Sequence, residues 1–168
     1  MRWLVTGGLG FIGSNFIRMA LHERSGLQIV NLDAMTYAGN PVNLRDVEHL
    51  SEYRFVKGDI GDPEAVAQAV GDGVDAIINF AAETHVDRSI LDPEAFLRTD
   101  ILGTHVLLEA VREHRIPRFL QVSTDEVYGD VQSGESGEDD PLRPRSPYSA
   151  SKAGGDLQVL AYWSTFET

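Results

Sequence analysis

The fold of this 168-residue chain is decided by the stretch Trp3-Leu4-Val5-Thr6-Gly7-Gly8-Leu9-Gly10-Phe11-Ile12-Gly13. The apolar run that ends at Thr6 predicts a strand, and the amphipathic residues after Gly10 predict a helix. The turn between them is rich in glycine, so its backbone N–H groups can approach an anion that also faces the positive end of the helix. Gly13 lets the helix pack closely on the strand. In this context the turn predicts a site for the pyrophosphate of a dinucleotide, whereas a glycine-rich turn alone would be equally well explained as a tight connection.

Short apolar runs alternate with amphipathic runs along the rest of the chain. The apolar runs lack strict polar alternation, which is typical of parallel strands covered on both faces. The expected fold class is therefore α/β, with a Rossmann-type doubly wound parallel sheet. The Asp62-Pro63 and Asp92-Pro93 pairs are predicted N-caps with their first helical residues. The predicted strands are 3–6, 28–32, 54–56, 76–80 and 119–122; the predicted helices are 11–22, 63–70, 93–114 and 147–163, with a surface loop over 129–147.

Charge and composition exclude several classes of protein. The formal net charge is −12, and such a surface repels nucleic-acid phosphates, so we expect no nucleic-acid partner. The chain has no Cys, which excludes disulfides and Cys-ligated metals and fits a cytoplasmic protein. No apolar run approaches the ~18 residues that span a bilayer, and no signal-peptide segment is expected at the N-terminus. No metal site is expected, because the His residues lack ligand spacing. Leu102, Leu107 and Leu108 are predicted to be core residues.

Asp33 lies at the end of the second predicted strand, twenty residues after Gly13. A carboxylate at this place can accept hydrogen bonds from ribose hydroxyls, and it would repel a 2′-phosphate. The sequence therefore predicts binding of NAD in preference to NADP.

Tyr148 and Lys152 are four residues apart on the last predicted helix, so they share one face. A nearby ammonium favours the phenolate, which would make Tyr148 a better base. Ser123 and Thr124 follow a predicted strand and could add a hydroxyl to the same site, since parallel sheets bind ligands at the carboxyl ends of their strands. Taken alone, a Tyr-Lys pair is often a chance pair on a helix face, and Thr124 a strand-end cap.

The adjacent carboxylates Asp125 and Glu126 come directly after Thr124. Two such groups can act on different atoms of one substrate, one as proton donor and one as base. An acidic pair is more often a solvated turn, but its position beside the predicted hydroxyl and the Tyr-Lys pair favours catalysis.

With these motifs in this order, together with Asp59-Ile60 and Ala81-Ala82, the chain resembles the extended, sugar-nucleotide branch of the short-chain dehydrogenase/reductases over essentially all 168 residues. The segments 36–40, 81–89 and 123–129 are similar to those of dTDP-glucose 4,6-dehydratases. Related epimerases usually carry small or hydroxyl residues where Asp125 and Glu126 stand. Asp100 departs from the family pattern, in which Asn is frequent.

The resemblance implies NAD as the cofactor, dTDP-glucose as the substrate and a 4-keto-6-deoxy sugar nucleotide as the product. It implies that Tyr148, assisted by Lys152 and Thr124, takes the proton of the sugar 4-hydroxyl during oxidation at C4. Glu126 would then remove the C5 proton, Asp125 would protonate the departing 6-hydroxyl, and the hydride would return to C6. The implied substrate-binding residues are Thr84, Thr124, Asp125, Glu126 and Tyr148. The implied cofactor-binding residues are Gly7, Gly10, Phe11, Ile12, Gly13, Asp33, Ala34, Met35, Thr36, Asp59, Ile60, Phe80, Ala81, Ala82, Thr84, Thr99, Ser123, Tyr148 and Lys152.

Two alternatives remain open at this point. One is another nucleotide-sugar dehydratase or an epimerase of the same branch, and the other is a cofactor-binding protein without turnover. Family members continue past the Tyr-Lys helix into a smaller substrate domain. Residues 1–168 are therefore expected to be the NAD-binding domain of a longer, homodimeric enzyme, with the C-terminal substrate domain absent and no turnover by this part alone.

Overall fold

The computed structural model describes residues 1–167, which form a five-stranded parallel sheet with the strand order β3-β2-β1-β4-β5. The strands are β1 (Arg2–Thr6), β2 (Gln28–Asp33), β3 (Tyr53–Lys57), β4 (Ala76–Asn79) and β5 (Phe119–Gln121). The strand order reverses between β1 and β4, and such sheets bind ligands outside the carboxyl ends of the strands at this switch point. The predicted doubly wound α/β fold is confirmed.

Helices cover both faces of the sheet. They are α1 (Phe11–Glu23), α2 (Pro63–Val70), α3 (Val86–Leu91), α4 (Pro93–Phe96), α5 (Thr104–His114) and α6 (Pro147–Phe166). Successive strand residues point to opposite faces, so Leu4 packs in one core with residues of α2 and α5, while Val5 packs in a second core with residues of α1. Burial on both faces explains why the strands show no polar alternation.

The predicted helix over 93–114 is not a uniform α-helix. Between α4 and α5 lies a π-helical segment, Leu97–Gly103, and segments of this kind are common near functional sites. Helix α6 packs closely against this segment, because a Cβ added to Gly155 would lie only 3.0 Å from the Asp100 carbonyl oxygen. The widened turn places Asp100 against α6, where it is 2% exposed.

Both predicted Asp-Pro pairs stand at an N-cap and the first helical position, but only Asp62 makes a side-chain cap. Asp62 Oδ1 accepts a hydrogen bond from the Glu64 N–H at 2.9 Å and caps α2. Asp92 makes no side-chain cap for α4; its N–H instead donates to the Arg88 carbonyl at 2.8 Å and ends α3, a helix that was not predicted. The core prediction is also wrong for Leu102, which is 55% exposed, because the π-helical turn changes which side of the segment faces the core.

Residues 129–146 form the predicted irregular loop, and α6 begins directly after it. Ser146 and Ser149 cap α6 reciprocally, since each hydroxyl accepts a hydrogen bond from the backbone N–H of the other residue at 3.0 Å. Across residues 1–167, no helix combines the length and apolarity needed to cross a membrane. The same residues contain no group of three or more His, Asp or Glu side chains that could hold a metal ion.

Candidate active site

A cavity of about 440 Å³ opens at the carboxyl ends of the strands. The glycine turn, the end of β2, the loop after β4 and the start of α6 meet around it. The predicted site residues that line it are Gly7, Gly10, Phe11, Ile12, Gly13, Asp33, Ala34, Thr36, Asp59, Ile60, Phe80, Ala81, Ala82, Thr84, Thr99, Ser123, Tyr148 and Lys152.

Four predicted site residues do not line this cavity. Met35 is one of them, although its backbone N–H donates to the lining residue Asp33 at Oδ1, at 2.8 Å. Thr124, Asp125 and Glu126 follow Ser123 just outside the lining. Thr124 is linked to the lining by its side-chain hydrogen bond with Tyr148, so the three residues adjoin the cavity.

Sequence reasoning missed six lining residues, and Glu83 is the charged one among them. Glu83 stands between the recognised Ala81-Ala82 pair and Thr84, and this adjacency was the available signal. Gly58 follows β3 and could have been found from the rule that strand ends meet at one edge of the sheet. The six are Leu32, Ala38, Gly39, Gly58, Glu83 and Val122.

In the glycine turn, the backbone at Gly7 lies very close to the backbone of the loop after β4. Gly7 has a φ of +66°, and a Cβ added there would lie 2.6 Å from the Ala81 nitrogen, so no other residue fits without a shift. Gly10 precedes α1 without a side-chain cap, which leaves the first N–H groups of the helix available to a ligand in the cavity. This arrangement suits a diphosphate.

The Gly7→Ala variant is expected to lower the free energy of unfolding by about 3 kcal/mol. The added Cβ strains a backbone in the left-handed region and also collides with the backbone of Ala81. Gly26→Ala is the matched control: Gly26 has a φ of +74° with nothing within 4 Å of an added Cβ, so only the strain of about 1 kcal/mol applies. Urea denaturation of both variants measures the difference. Equal losses would show that the approach to Ala81 relaxes without cost.

Asp33 fixes the glycine turn and also faces the cavity. Its Oδ2 accepts a hydrogen bond from the Leu9 N–H at 2.9 Å, and the residue is only 8% exposed. The loop after β2 packs on the carboxylate, since a Cβ added to Gly39 would lie 2.8 Å from Asp33 Oδ1. The carboxylate is thus held in place with capacity for further acceptor bonds.

The predicted Tyr-Lys pair stands one turn apart on α6, and both residues line the cavity. Lys152 is 4% exposed, and its Nζ donates to the Val122 carbonyl at 2.7 Å. The Tyr148 ring meets the Phe96 ring edge-on, with 6.3 Å between centroids. Packing therefore fixes the ring and the ammonium on the same side of the cavity.

The charges around Tyr148 do not produce the favoured phenolate that the Tyr-Lys spacing predicts. Burial raises the pKa of Tyr148, a side-chain hydrogen bond with Thr124 lowers it, and the charges of Glu126, Asp100 and Asp125 raise it. Burial lowers the pKa of Lys152, while Asp100 and Asp156 raise it. The predicted direction for Tyr148 was wrong because desolvation and three carboxylates outweigh the stabilising contacts.

Asp125 and Glu126 are exposed on a single 3₁₀ turn, Asp125–Tyr128, that follows β5. The Thr124 hydroxyl caps this turn by accepting a hydrogen bond from the Glu126 N–H at 3.3 Å. The charges of both carboxylates raise the pKa of Tyr148. Two exposed carboxyl groups and the phenol are therefore electrostatically coupled next to the cavity.

Residues 4–168 match the family described as GDP-mannose 4,6 dehydratase. The chain belongs to this family. The resemblance inferred from the motifs is thereby confirmed, since this dehydratase family match covers nearly the whole chain.

Individual proteins are also similar to this chain in sequence and in structure. The chain is 52% identical over 169 residues to the dTDP-glucose 4,6-dehydratase of Streptomyces niveus, a match that covers 98% of this chain and 50% of the relative. The crystal structure of DesIV, a dTDP-glucose 4,6-dehydratase from Streptomyces venezuelae with NAD and TYD bound, is 47% identical with a TM-score of 0.95 over 99% of this chain and 53% of that one. The UDP-glucose 4-epimerase of Thermus thermophilus, in complex with NAD, is 34% identical with a TM-score of 0.89 over 99% and 52%. The chain spans about half the length of these relatives.

Proposed function

We propose that the full chain, by which we mean this protein at the length of its relatives, is an NAD-dependent dTDP-glucose 4,6-dehydratase. It converts dTDP-glucose into dTDP-4-keto-6-deoxyglucose and water. The placement of Asp125 and Glu126 beside Tyr148, at the rim of a cavity suited to a dinucleotide, carries the proposal. Two relatives that are 52% identical in sequence to this chain carry this name, and they support the choice of substrate.

Four features of the cavity fit NAD. The close approach at Gly7 and the uncapped start of α1 suit its diphosphate, and the Asp33 carboxylate suits a ribose. Tyr148 and Lys152, which line the same cavity from α6, suit the second ribose and the reacting ring. When bound, NAD supplies the acceptor for the hydride removed from C4 and is the source of the hydride later delivered to C6.

Tyr148 is proposed as the base that takes the proton of the sugar 4-hydroxyl. The Thr124 hydroxyl would stabilise the phenolate by its hydrogen bond. Lys152, one turn further along α6, is proposed to hold the nicotinamide ribose and to favour the phenolate once NAD is bound. Thr84, on the loop after β4, is proposed to contact both cofactor and sugar.

Glu126 and Asp125 are proposed to perform the elimination. Oxidation at C4 acidifies the C5 proton, which the Glu126 carboxylate would remove. Asp125 would protonate the departing 6-hydroxyl, so that water leaves, and a proton would return to C5 when the hydride is returned to C6. Their exposure on a short turn keeps both groups accessible to the sugar.

Turnover of the full chain tests this proposal. With NAD and dTDP-glucose, we expect a product lighter by one water that retains the nucleotide diphosphate, detected by mass spectrometry. UDP-glucose and GDP-mannose serve as parallel substrates and identify the nucleotide. A product of unchanged mass with inverted C4 would show that the chain is an epimerase.

Cofactor preference is a separate prediction. The full chain should bind NAD at least tenfold more tightly than NADP, because the buried Asp33 carboxylate would face a 2′-phosphate, and a like-charge contact of about 1.4 kcal/mol or more has this effect. Calorimetric titration with both cofactors measures it. Asp33→Asn, which keeps an acceptor for the Leu9 N–H, should reduce the preference; equal or tighter NADP binding by the parent protein would contradict the assignment.

An epimerase is the second candidate, because the Thermus thermophilus epimerase shares the fold and 34% identity. The acidic pair discriminates between the two reactions. Epimerisation at C4 needs hydride removal and return at one carbon and gives no role to a separate acid and base for C5 and C6. The presence of both Asp125 and Glu126 at the rim therefore favours the dehydratase.

We also propose that the full chain is a cytoplasmic homodimer. Leu157, Leu160 and Trp163 form a stripe along α6 and are 55%, 59% and 64% exposed. Contiguous exposed apolar side chains are typical of protein interfaces. The lack of Cys fits a reducing compartment. Sedimentation of the full chain tests the dimer.

A further inference from the structure

Asp100 is a buried carboxyl group that joins two parts of the cavity wall. It lies on the π-helical segment, is 2% exposed, and accepts a hydrogen bond at Oδ1 from the Glu83 N–H at 3.2 Å. Its Oδ2 lies 2.6 Å from the Ser151 hydroxyl on α6. One carboxyl group therefore ties the loop after β4 to the helix that carries Tyr148 and Lys152.

The charged groups around Asp100 form a small buried set. Lys152 on α6 faces it, Glu83 faces it from the loop after β4, and Asp156 faces Lys152 from the next turn of α6. On the neighbouring segments, Arg98 pairs with Glu94 and Arg112 pairs with Glu109 at the surface. Asp100 is thus a principal counter-charge for the buried Lys152 ammonium.

We propose that Asp100 is a positioning residue that keeps the buried Lys152 ammonium charged and thereby sets the pH range in which the Tyr148-Lys152 pair works. The proposal rests on the function assigned to Tyr148 above. A carboxylate at this position adds a charge that an amide would not supply, and it can lose that charge at a moderately acidic pH.

Ser151 is a local indicator of the charge on Asp100. Its single hydroxyl proton has two acceptors in reach, Asp100 Oδ2 at 2.6 Å and the Tyr148 carbonyl at 2.8 Å. When Asp100 is ionised, the hydroxyl donates to the carboxylate. When Asp100 is protonated, the carboxyl donates to Ser151 Oγ and the hydroxyl turns to the carbonyl. Burial raises the pKa of Asp100 to about 6, with Ser151, Lys152 and the Glu83 N–H acting in the opposite direction, so the two states exchange near that pH.

The direction of the effect follows from charge alone. Removing one negative charge lowers the pKa of every group that faces it, because the protonated form of each group loses a favourable interaction or its deprotonated form loses a repulsion. Asp100 raises the pKa of both Lys152 and Tyr148. Asp100→Asn should therefore shift both titrations to lower pH.

Asp100→Asn in the full chain tests the proposal, since the amide can accept from the Glu83 N–H and donate to Ser151 while carrying no charge. We expect both limbs of the pH profile of kcat/KM to move to lower pH by roughly one unit. Ser151→Ala is the control: it removes the hydroxyl that lowers the pKa of Asp100 but keeps the carboxyl group, so its alkaline limb, where Asp100 is ionised, should stay near that of the parent.

Two further measurements need no turnover and remain informative if the proposed substrate is wrong. The first follows the phenolate absorbance of each protein with pH, after subtraction of the absorbance of its Tyr148→Phe version. The pH midpoint of the Tyr148 titration should fall in Asp100→Asn.

The second measurement is the urea concentration at the midpoint of unfolding. A carboxyl group whose pKa is raised by folding contributes stability below its unfolded pKa, and this contribution is lost as the pH rises through about 6. Asp100→Asn should accordingly gain stability relative to the parent between pH 4 and pH 7. A Tyr148 midpoint that stays or rises, with kcat/KM merely scaled at every pH, would overturn the proposal and leave Asp100 a purely structural residue.

Discussion

The Tyr148→Phe variant of the full chain is expected to lose about a thousandfold in kcat, the range typical for removal of a positioned general base. The expected cause is specific, because Phe keeps the ring that packs on Phe96 and removes only the hydroxyl that bonds with Thr124. NAD binding should change little, since the sites proposed for the diphosphate and the first ribose do not include Tyr148, and Lys152 still serves the second ribose. Single-turnover absorbance of the reduced cofactor measures the first step directly.

Tyr162→Phe is the matched control for this experiment. Tyr162 lies on the same helix, and its hydroxyl donates to Glu109 Oε1 at 2.6 Å, away from the cavity. Its loss should weaken a surface contact and leave kcat within about a factor of two, because exposed polar contacts contribute little. If Tyr148→Phe oxidises the sugar at the parent rate, Tyr148 is not the base.

The parallel sheet was predictable because its strands leave a simple signal. Each predicted strand is found, with ends that differ by at most one residue, since buried parallel strands are short apolar runs between turns. The topology then brings the carboxyl ends of these strands together. Residues far apart in the chain, such as Asp33 and Ser123, could therefore be placed at one cavity from the sequence alone.

The errors have a common physical cause, which is packing between elements. Nothing in the sequence around Asp100 indicates a π-helical turn; it accompanies the close contact with Gly155 on another helix. That turn leaves Leu102 exposed, although the α-helical period predicts a core position. Asp92 stands at the N-cap position of α4 as predicted, but it makes no side-chain cap, and its backbone N–H ends α3, a helix that the sequence pattern did not indicate.

The pKa of Tyr148 could not be predicted from the Tyr-Lys spacing for a similar reason. The spacing shows that the phenol and the ammonium share a helix face, but desolvation depends on what covers that face. The structure places Asp100, Asp125 and Glu126 around the same phenol, and each of them raises its pKa. Local patterns locate groups on one element, while electrostatics depends on all the elements that surround them.

In the full chain, Asp125→Asn and Glu126→Gln are expected to spare oxidation at C4 and to slow formation of the 6-deoxy product by about 10²- to 10⁴-fold. Both changes preserve side-chain size and remove only the ability to give or take a proton. The Thr124 cap of the turn should survive, because it uses the Glu126 backbone N–H and not the side chain. Tyr148 and Lys152 are untouched, so the first step remains available.

The result should be visible as an uncoupling of the two half-reactions. After mixing with dTDP-glucose, the absorbance of the reduced cofactor should rise and persist in both variants, whereas in the parent it should rise only transiently. Asp130→Asn provides a control. Asp130 is exposed on the following loop, and its Oδ2 lies 4.0 Å from Arg145 Nε in a surface pair. Because Asp125 and Glu126 also raise the pKa of Tyr148, their neutralisation should move the oxidation step to slightly lower pH without blocking it. Parent-like product formation by both variants would remove the acid and base roles from this pair, while loss of the first step would mean that the carboxylates serve Tyr148 and not the elimination.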